Sequence, residues 1–320
     1  MAIHAEFEIN VNRRHPVTLN VIWPNMNWRR IRKWCAIFVC VGIVAIVVAA
    51  WFVGGALVAP ANRAVGDPSA GFPANSIQIQ SDSGATLACW HLPLTNSSAT
   101  AILLHPIRGD RRSMISRAKL LRQHGYSTLL IDLQAHGESE GQNVTVGHLE
   151  QHDVSAAVEF IRDFDSNQKI AIIGRSLGGA STVFANPDVD VIVLESVYPT
   201  ITEAVHNRIQ MRMGMLHHVI APLLLMQLKP RLNVSPDQLQ PIAELHNIQC
   251  PILVASGDRD EHTTISETNR MFDAANEPKK LVIFNGAEHV DLLAYDSSKY
   301  ENEIVEYVNQ IIGERISGAK

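Results

Sequence analysis

The sequence predicts an α/β protein, with a mostly parallel central sheet flanked by helices, a helical cap insertion and one N-terminal transmembrane helix. Three observations support this. From Ser76 onward, short apolar runs alternate with amphipathic stretches, the pattern of parallel strands covered by helices on both faces. Residues 196–247 separate two strands by about fifty residues, more than one crossover requires. Between Lys33 and Arg63 no charged residue occurs, and a run of about 20 apolar residues suffices to span a bilayer core.

The spacing assigns residues 1–33 to a tail, 34–58 to the membrane span, 59–75 to a linker and 76–320 to the α/β domain. The span begins too far from Met1 and runs too long for an ordinary cleaved signal peptide. Trp34, Trp51 and Phe52 suit the two interfaces. Pro60, Pro68, Gly71 and Pro73 mark the linker. Ser76–Gln80 and Ala85–His91 read as a hairpin around the turn-rich Ser81–Gly84. Residues 100–104 and 127–131 read as strands, with a helix over 112–124 between them. Val154, Ala157, Val158 and Ile161 lie at helical spacing within 147–164. Residues 170–173, 189–194, 251–255 and 280–283 read as further strands, and 265–275 and 299–312 as helices. In the cap, Met211, Met213, Met215 and Met226 suggest an adaptable apolar surface, either lining a lid or filling the cap, with a kink or break at Pro222.

The net charge of −5 is unevenly spread. Residues 1–33 hold six basic groups against Glu6 and Glu8, a balance of +4 that leaves −9 for the remainder. A chain without a broad basic surface is not expected to bind nucleic acid. The cluster Arg29, Arg30, Arg32 and Lys33 before the span, against Arg63 after it, predicts a cytoplasmic N-terminus and an α/β domain on the opposite face. Four cysteines do not define a disulfide framework. Cys35 and Cys40 fall in the span, and Cys89 and Cys250 read as buried strand thiols, with a bridge between them as the alternative. No metal-ligand spacing is present.

The chemistry centres on Ser176, in Gly174-Arg175-Ser176-Leu177-Gly178, after an apolar strand and before a small-residue helix. A sharp strand–turn–helix would lift the hydroxyl clear of the backbone, where a base can activate it. The alternative is a glycine-rich packing turn or a phosphate-cradling loop. For an orienting acid, Asp260 is favoured in the turn after 251–255, with Asp258 and Glu195 as rivals. Of 14 histidines, His289 follows the last strand on a loop and is favoured as the base; His105 is read as structural, and His136 and His262 are weaker candidates. An oxyanion hole needs two backbone N–H groups. Leu177 offers one and Ile107 the other, since Pro106 has none. Arg108, Arg111 and Arg112 could attract an anionic headgroup or form a solvated basic loop.

These pieces, with Leu103-Leu104-His105, Asp132 to Ser139, Gly257 to Asp260 and Gly286 to His289, resemble the α/β-hydrolase superfamily. Within it they look most like serine-aminopeptidase-like (S33-type) and Bem46-like membrane-anchored hydrolases. The resemblance runs from about Ser76 to the C-terminus; it departs at Pro106, where the family usually has glycine. It implies the α/β-hydrolase fold, nucleophile Ser176, acid Asp260, base His289 and no cofactor. The expected substrate is a small or lipid-like acyl ester, with an amide, a thioester or a non-catalytic binding role as alternatives.

Overall fold

The computed structural model describes residues 28–317, so the expectation for the first 27 residues lies outside them. The described chain divides into two units, one ending at Ala49 and one running from Ala50. Helix α1 (Trp28–Val58) begins six residues before the expected span and takes in the basic cluster. Its 31 residues extend about 46 Å at the α-helical rise. Only Ala50 and Gly54 on it are buried. It is long and apolar enough to cross a membrane.

The second unit holds strands β1 (Ala61–Asn62), β2 (Asn75–Gln80), β3 (Thr86–Leu92), β4 (Ala99–Leu104), β5 (Ser127–Ile131), β6 (His136–Gly137), β7 (Lys169–Arg175), β8 (Val191–Glu195), β9 (Ile252–Gly257) and β10 (Lys279–Phe284). Eight of them form one sheet in the order β10-β9-β8-β7-β4-β5-β3-β2. The strands from β10 to β5 pair parallel, and β3 runs against its neighbours. Every residue of β4, β5, β8 and β9 is buried. That is why these strands read as continuous apolar runs without alternation. Alternate residues still divide between two layers: Ile102, Ile172 and Ile192 face one core, and Leu103, Ile173 and Val193 face the other.

Before the sheet's middle, a 3-10 turn (Arg111–Met114) leads into α2 (Ile115–Gln123); α3 (Glu150–Phe164) and α4 (Leu177–Ala185) follow. The cap comprises α5 (Ile201–Met213), α6 (His217–Leu225), α7 (Leu228–Leu232) and α8 (Pro241–Glu244). The last third carries α9 (Ile265–Ala274), α10 (Leu292–Tyr295), α11 (Ser297–Tyr300) and α12 (Glu306–Ser317). Helix α6 continues through Pro222, and Met226 N–H donates to the Pro222 carbonyl at 2.9 Å. The chain breaks instead at Gly214, where φ is +55°. The cap methionines do not fill its interior: Met211, Met213, Met215 and Met226 are 45, 43, 84 and 73% exposed.

The stretch 59–75 is more fixed than a linker. Ala61 and Asn62 pair parallel with His136 and Gly137, and buried Phe72 meets Trp90 edge-on at 5.8 Å. The C-terminal end of α1, from Ala50 to Val58, is held within the same unit. Gln227 Nε2 donates to the Ala50 carbonyl at 2.9 Å, and Arg231 lies 4.0 Å over the Trp51 ring. Val144 N–H donates to the Val58 carbonyl at 2.9 Å. Cys89 and Cys250 are free thiols; burial pushes both up, Cys250 to about 12. Cys250 lies just before β9 rather than within it.

Candidate active site

Because β4, β7, β9 and β10 are mutually parallel, the loops at their C-terminal ends share one edge of the sheet. Ser176 follows β7 directly with φ +46° and ψ −106°, outside the ordinary regions for an L-residue. Its N–H donates to the Glu195 carbonyl at 2.8 Å, and its carbonyl starts α4 by accepting from Ala180 at 2.9 Å. The glycines are sterically required. A Cβ on Gly174 would lie 2.5 Å from the Gly179 nitrogen, and one on Gly178 would lie 2.5 Å from Leu104 Cβ. Gly178→Ala should therefore cost about 1–3 kcal/mol through overpacking, read as a lower denaturation midpoint. Turnover should fall with it, because α4 must shift and Leu177 is its first residue.

Asp260 is 3% exposed in the turn after β9. Its Oδ1 accepts the His262 and Thr263 amides at 2.8 and 2.9 Å, and its Oδ2 lies 2.7 Å from His289 Nδ1. Burial alone would push the carboxyl up. The hydrogen bond and charge of His289 and the two amides outweigh it, so Asp260 titrates below its ordinary value. An ionised carboxylate cannot donate, so Nδ1 of His289 carries the proton and Nε2 is left to accept. His289, with its side chain 24% exposed, lines a narrow cleft with Ser176, Pro106 and Ser196.

The rival acids are otherwise engaged. Glu195 accepts from Arg117 Nε and Nη2 at 3.0 and 2.5 Å and from the Tyr300 hydroxyl at 2.5 Å. Arg117 Nη1 and Arg175 Nη1 also hold Asp291 Oδ2, at 2.9 and 3.1 Å, two residues beyond His289. Asp258 is exposed and caps the next turn through the Gly286 amide at 2.6 Å.

His105 is structural. Its Nε2 accepts from the Leu133 amide at 3.0 Å, and its Nδ1 donates to the Pro106 carbonyl at 2.8 Å. Burial first, then the neighbouring His136, lowers it to about 3. The unfolded chain would protonate this histidine below about pH 6.5 while the folded chain does not. The contribution of His105 is thus complete above that pH and shrinks as pH falls, by at most about 1.4 kcal/mol per pH unit. The stability gap between the protein and His105→Gln should narrow from pH 7 to pH 4 in urea titrations. His136 is likewise buried, its Nδ1 2.9 Å from the Gln134 carbonyl.

His262, a weaker candidate for the base, sits beside His289. It stacks on His289 at 4.7 Å with rings 25° apart. Burial, followed by the His289 and Arg208 charges, lowers it to about 4, so the neighbouring ring stays neutral. His262 lies two residues beyond Asp260, and that proximity was the available clue.

Pro106–Gly109 forms a tight turn closed by Gly109 N–H donating to the Pro106 carbonyl at 2.9 Å, with Arg108 at φ +57°. Among the described residues no acceptor engages the Leu177 or Ile107 amides. Ile107, Leu177 and Ser176 border a second cavity of about 390 Å³ beneath the cap, a size typical of small-molecule sites. Its apolar wall comes from Ile201, Val205, Ile209, Leu224 and Leu228, and from Leu57 of α1; the cap methionines are not among its lining residues. Of the basic loop, Arg111 is buried against Asp132, with Glu138 at 2.5 Å and the Trp90 ring at 4.7 Å. Arg112 pairs with Asp110 at 2.8 Å. Arg108 alone of the three borders the cavity.

Residues 96–240 match the family described as serine aminopeptidase, S33. A Pyrococcus furiosus esterase superposes with a TM-score of 0.66 at 19% identity, covering 80% of this chain and 98% of that one. The chain has the α/β-hydrolase fold. An Exiguobacterium antarcticum esterase shares this hydrolase fold with a TM-score of 0.56 at 14% identity, covering 73% of this chain and 100% of the other. Among curated relatives, the uncharacterized protein YqkD of Bacillus subtilis is 20% identical over 73% of this chain and 78% of its own length. An uncharacterized membrane protein of Saccharomyces cerevisiae is 25% identical over 43% of this chain and 50% of its own length.

Proposed function

We propose that the chain is a membrane-anchored serine hydrolase that cleaves a carboxylic ester with an apolar acyl chain. The observation that carries this is the 2.7 Å contact between His289 and Asp260 on a histidine that shares a cleft with Ser176. In this reading His289 Nε2 takes the Ser176 proton as the hydroxyl oxygen bonds to the acyl carbon. The Leu177 and Ile107 amides receive the charge on the carbonyl oxygen. The C–O bond to the alcohol then breaks, and His289 returns the proton to the departing oxygen. Water repeats the sequence on the acyl-enzyme and releases the acid. Asp260 holds the imidazole tautomer and stabilises its cationic form. Helix α1 is the anchor, and its basic start argues for a cytoplasmic N-terminus with the hydrolase domain on the opposite face.

Labelling by a fluorophosphonate probe, with and without Ser176→Ala, tests the nucleophile; labelling that survives the substitution would sink the reading. The serine aminopeptidase match favours amide cleavage by the same three residues as the second reading. A panel of ester, thioester and aminoacyl-amide substrates separates the two.

A further inference from the structure

The cavity beside Ser176 is apolar along most of its wall, yet four arginines border it: Arg108, Arg208, Arg212 and Arg231. No acidic side chain is among its lining residues. Among the described residues none of the four has a carboxylate within salt-bridge distance. What they bond is backbone and amide. Arg208 Nη1 donates to the Ala204 carbonyl at 2.9 Å, and Arg231 donates to Gln227 Oε1 at 3.1 Å and to the Trp51 carbonyl at 2.5 Å. Arg108 reaches the Ala56 and Leu57 carbonyls.

Arg208 is the telling member. Burial pulls it below its ordinary value, and the nearest acids are committed elsewhere. Glu267 accepts from Asn207 at 2.8 Å and from Thr264 N–H, and Asp260 holds His289. A guanidinium withdrawn from water without a counter-ion is costly unless something else supplies the charge. Guanidinium groups match the planar or tetrahedral oxygens of carboxylates and phosphates. The apolar wall beside them suits an acyl chain.

We propose that these arginines form an anion-binding subsite, so that the substrate is an acyl ester that also carries an oxyanion, a phosphate or carboxylate. This rests on the serine hydrolase reading and narrows its substrate. The chain occupies the apolar wall, the oxyanion meets Arg208 and Arg212, and the ester lies at Ser176.

The test compares hydrolysis of dodecanoyl glycerol phosphate with dodecanoyl glycerol by the full chain in neutral detergent. The phosphate ester should be favoured in kcat/KM by at least about tenfold. Arg208→Met and Arg212→Met should each pull that ratio toward one, and Lys119→Met, on an exposed face of α2, should keep it. Arg208→Met should melt no lower than the parent, since it removes a half-buried charge that has no carboxylate within salt-bridge distance. Exposed Arg212 provides a variant with little structural burden. An absent preference, or one that survives both substitutions, overturns the proposal.

Calorimetry on Ser176→Ala separates the two levels of inference. Dodecyl phosphate should bind more tightly than inorganic phosphate, and Arg208→Met should weaken it by about tenfold. Equal affinity for the two would overturn the acyl-linked oxyanion. Tight dodecyl phosphate binding by a chain that turns over no ester would retain the subsite and remove the hydrolase reading.

Discussion

Replacing Ser176 with alanine should reduce ester turnover by a factor on the order of 10⁴–10⁶, the usual loss when the nucleophile of a serine triad is removed. Folding should be nearly untouched. Alanine keeps a Cβ, so the unusual backbone of the elbow, at φ +46°, costs the variant what it costs the parent, and the denaturation midpoint should shift by less than about 0.5 kcal/mol. Ser176→Gly provides the contrast. It removes the nucleophile and also relieves the elbow, so it should be inactive and more stable by about 1 kcal/mol. Single-turnover assays with paired urea titrations read both quantities. Inactivity accompanied by a large loss of stability in the alanine variant would mean that the serine is structural.

Arg117→Met should produce the largest loss of stability. Arg117 is fully buried, and its guanidinium holds Glu195 and Asp291 while lying 5.2 Å from the Tyr300 ring centre. Removing it leaves Glu195, 1% exposed, with only the more distant Arg175, 3.7 Å away, to balance its charge. Breaking a buried pair from one side costs about 3–5 kcal/mol, whereas replacing both partners by apolar groups is often neutral. Arg117→Met should therefore lower the thermal midpoint sharply, and adding Glu195→Leu should recover part of the loss. A double variant no more stable than the single one would show that the pair is not the source. The same substitution leaves Asp291 with Arg175 alone, at 3.1 Å, so kcat should fall as the loop carrying His289 loses one of its two anchors.

The sheet was legible because its strands are buried on both faces and hence apolar end to end. The elbow was legible because a Cβ on Gly174 or Gly178 would come within 3 Å of neighbouring atoms, a constraint that one short motif records. The choice among Asp260, Asp258 and Glu195 was not, since each ends a turn or strand and only the fold reveals what each carboxylate touches. Arg117 lies in a stretch that reads as an ordinary polar helix; its partners at 195, 291 and 300 are distant in the chain. The pairing of Ala61 and Asn62 with His136 and Gly137 is too short to leave a period in the sequence. The methionines face outward because the wall positions of the cavity are taken by isoleucine, valine and leucine, a partition that depends on how the cap helices turn. Pro222 is the nominal breaker of this stretch, but Gly214 holds the positive φ where α5 ends.

The C-terminal end of α1, from Ala50 to Val58, has a consequence for any attempt to prepare this chain without its apolar helix. Gly54, Leu57 and Val58 border the cavity, and a Cβ at Gly54 would lie 2.2 Å from Gln227 Oε1. Trimming the chain through Val58 removes one side of the chamber as well as the apolar helix, strips Gln227 and Arg231 of the carbonyls they hold, and opens the apolar wall to solvent. Under the proposed reading, a shortened chain would keep Ser176, Asp260 and His289 but accept a different range of molecules, so selectivity measured on it would describe the truncation.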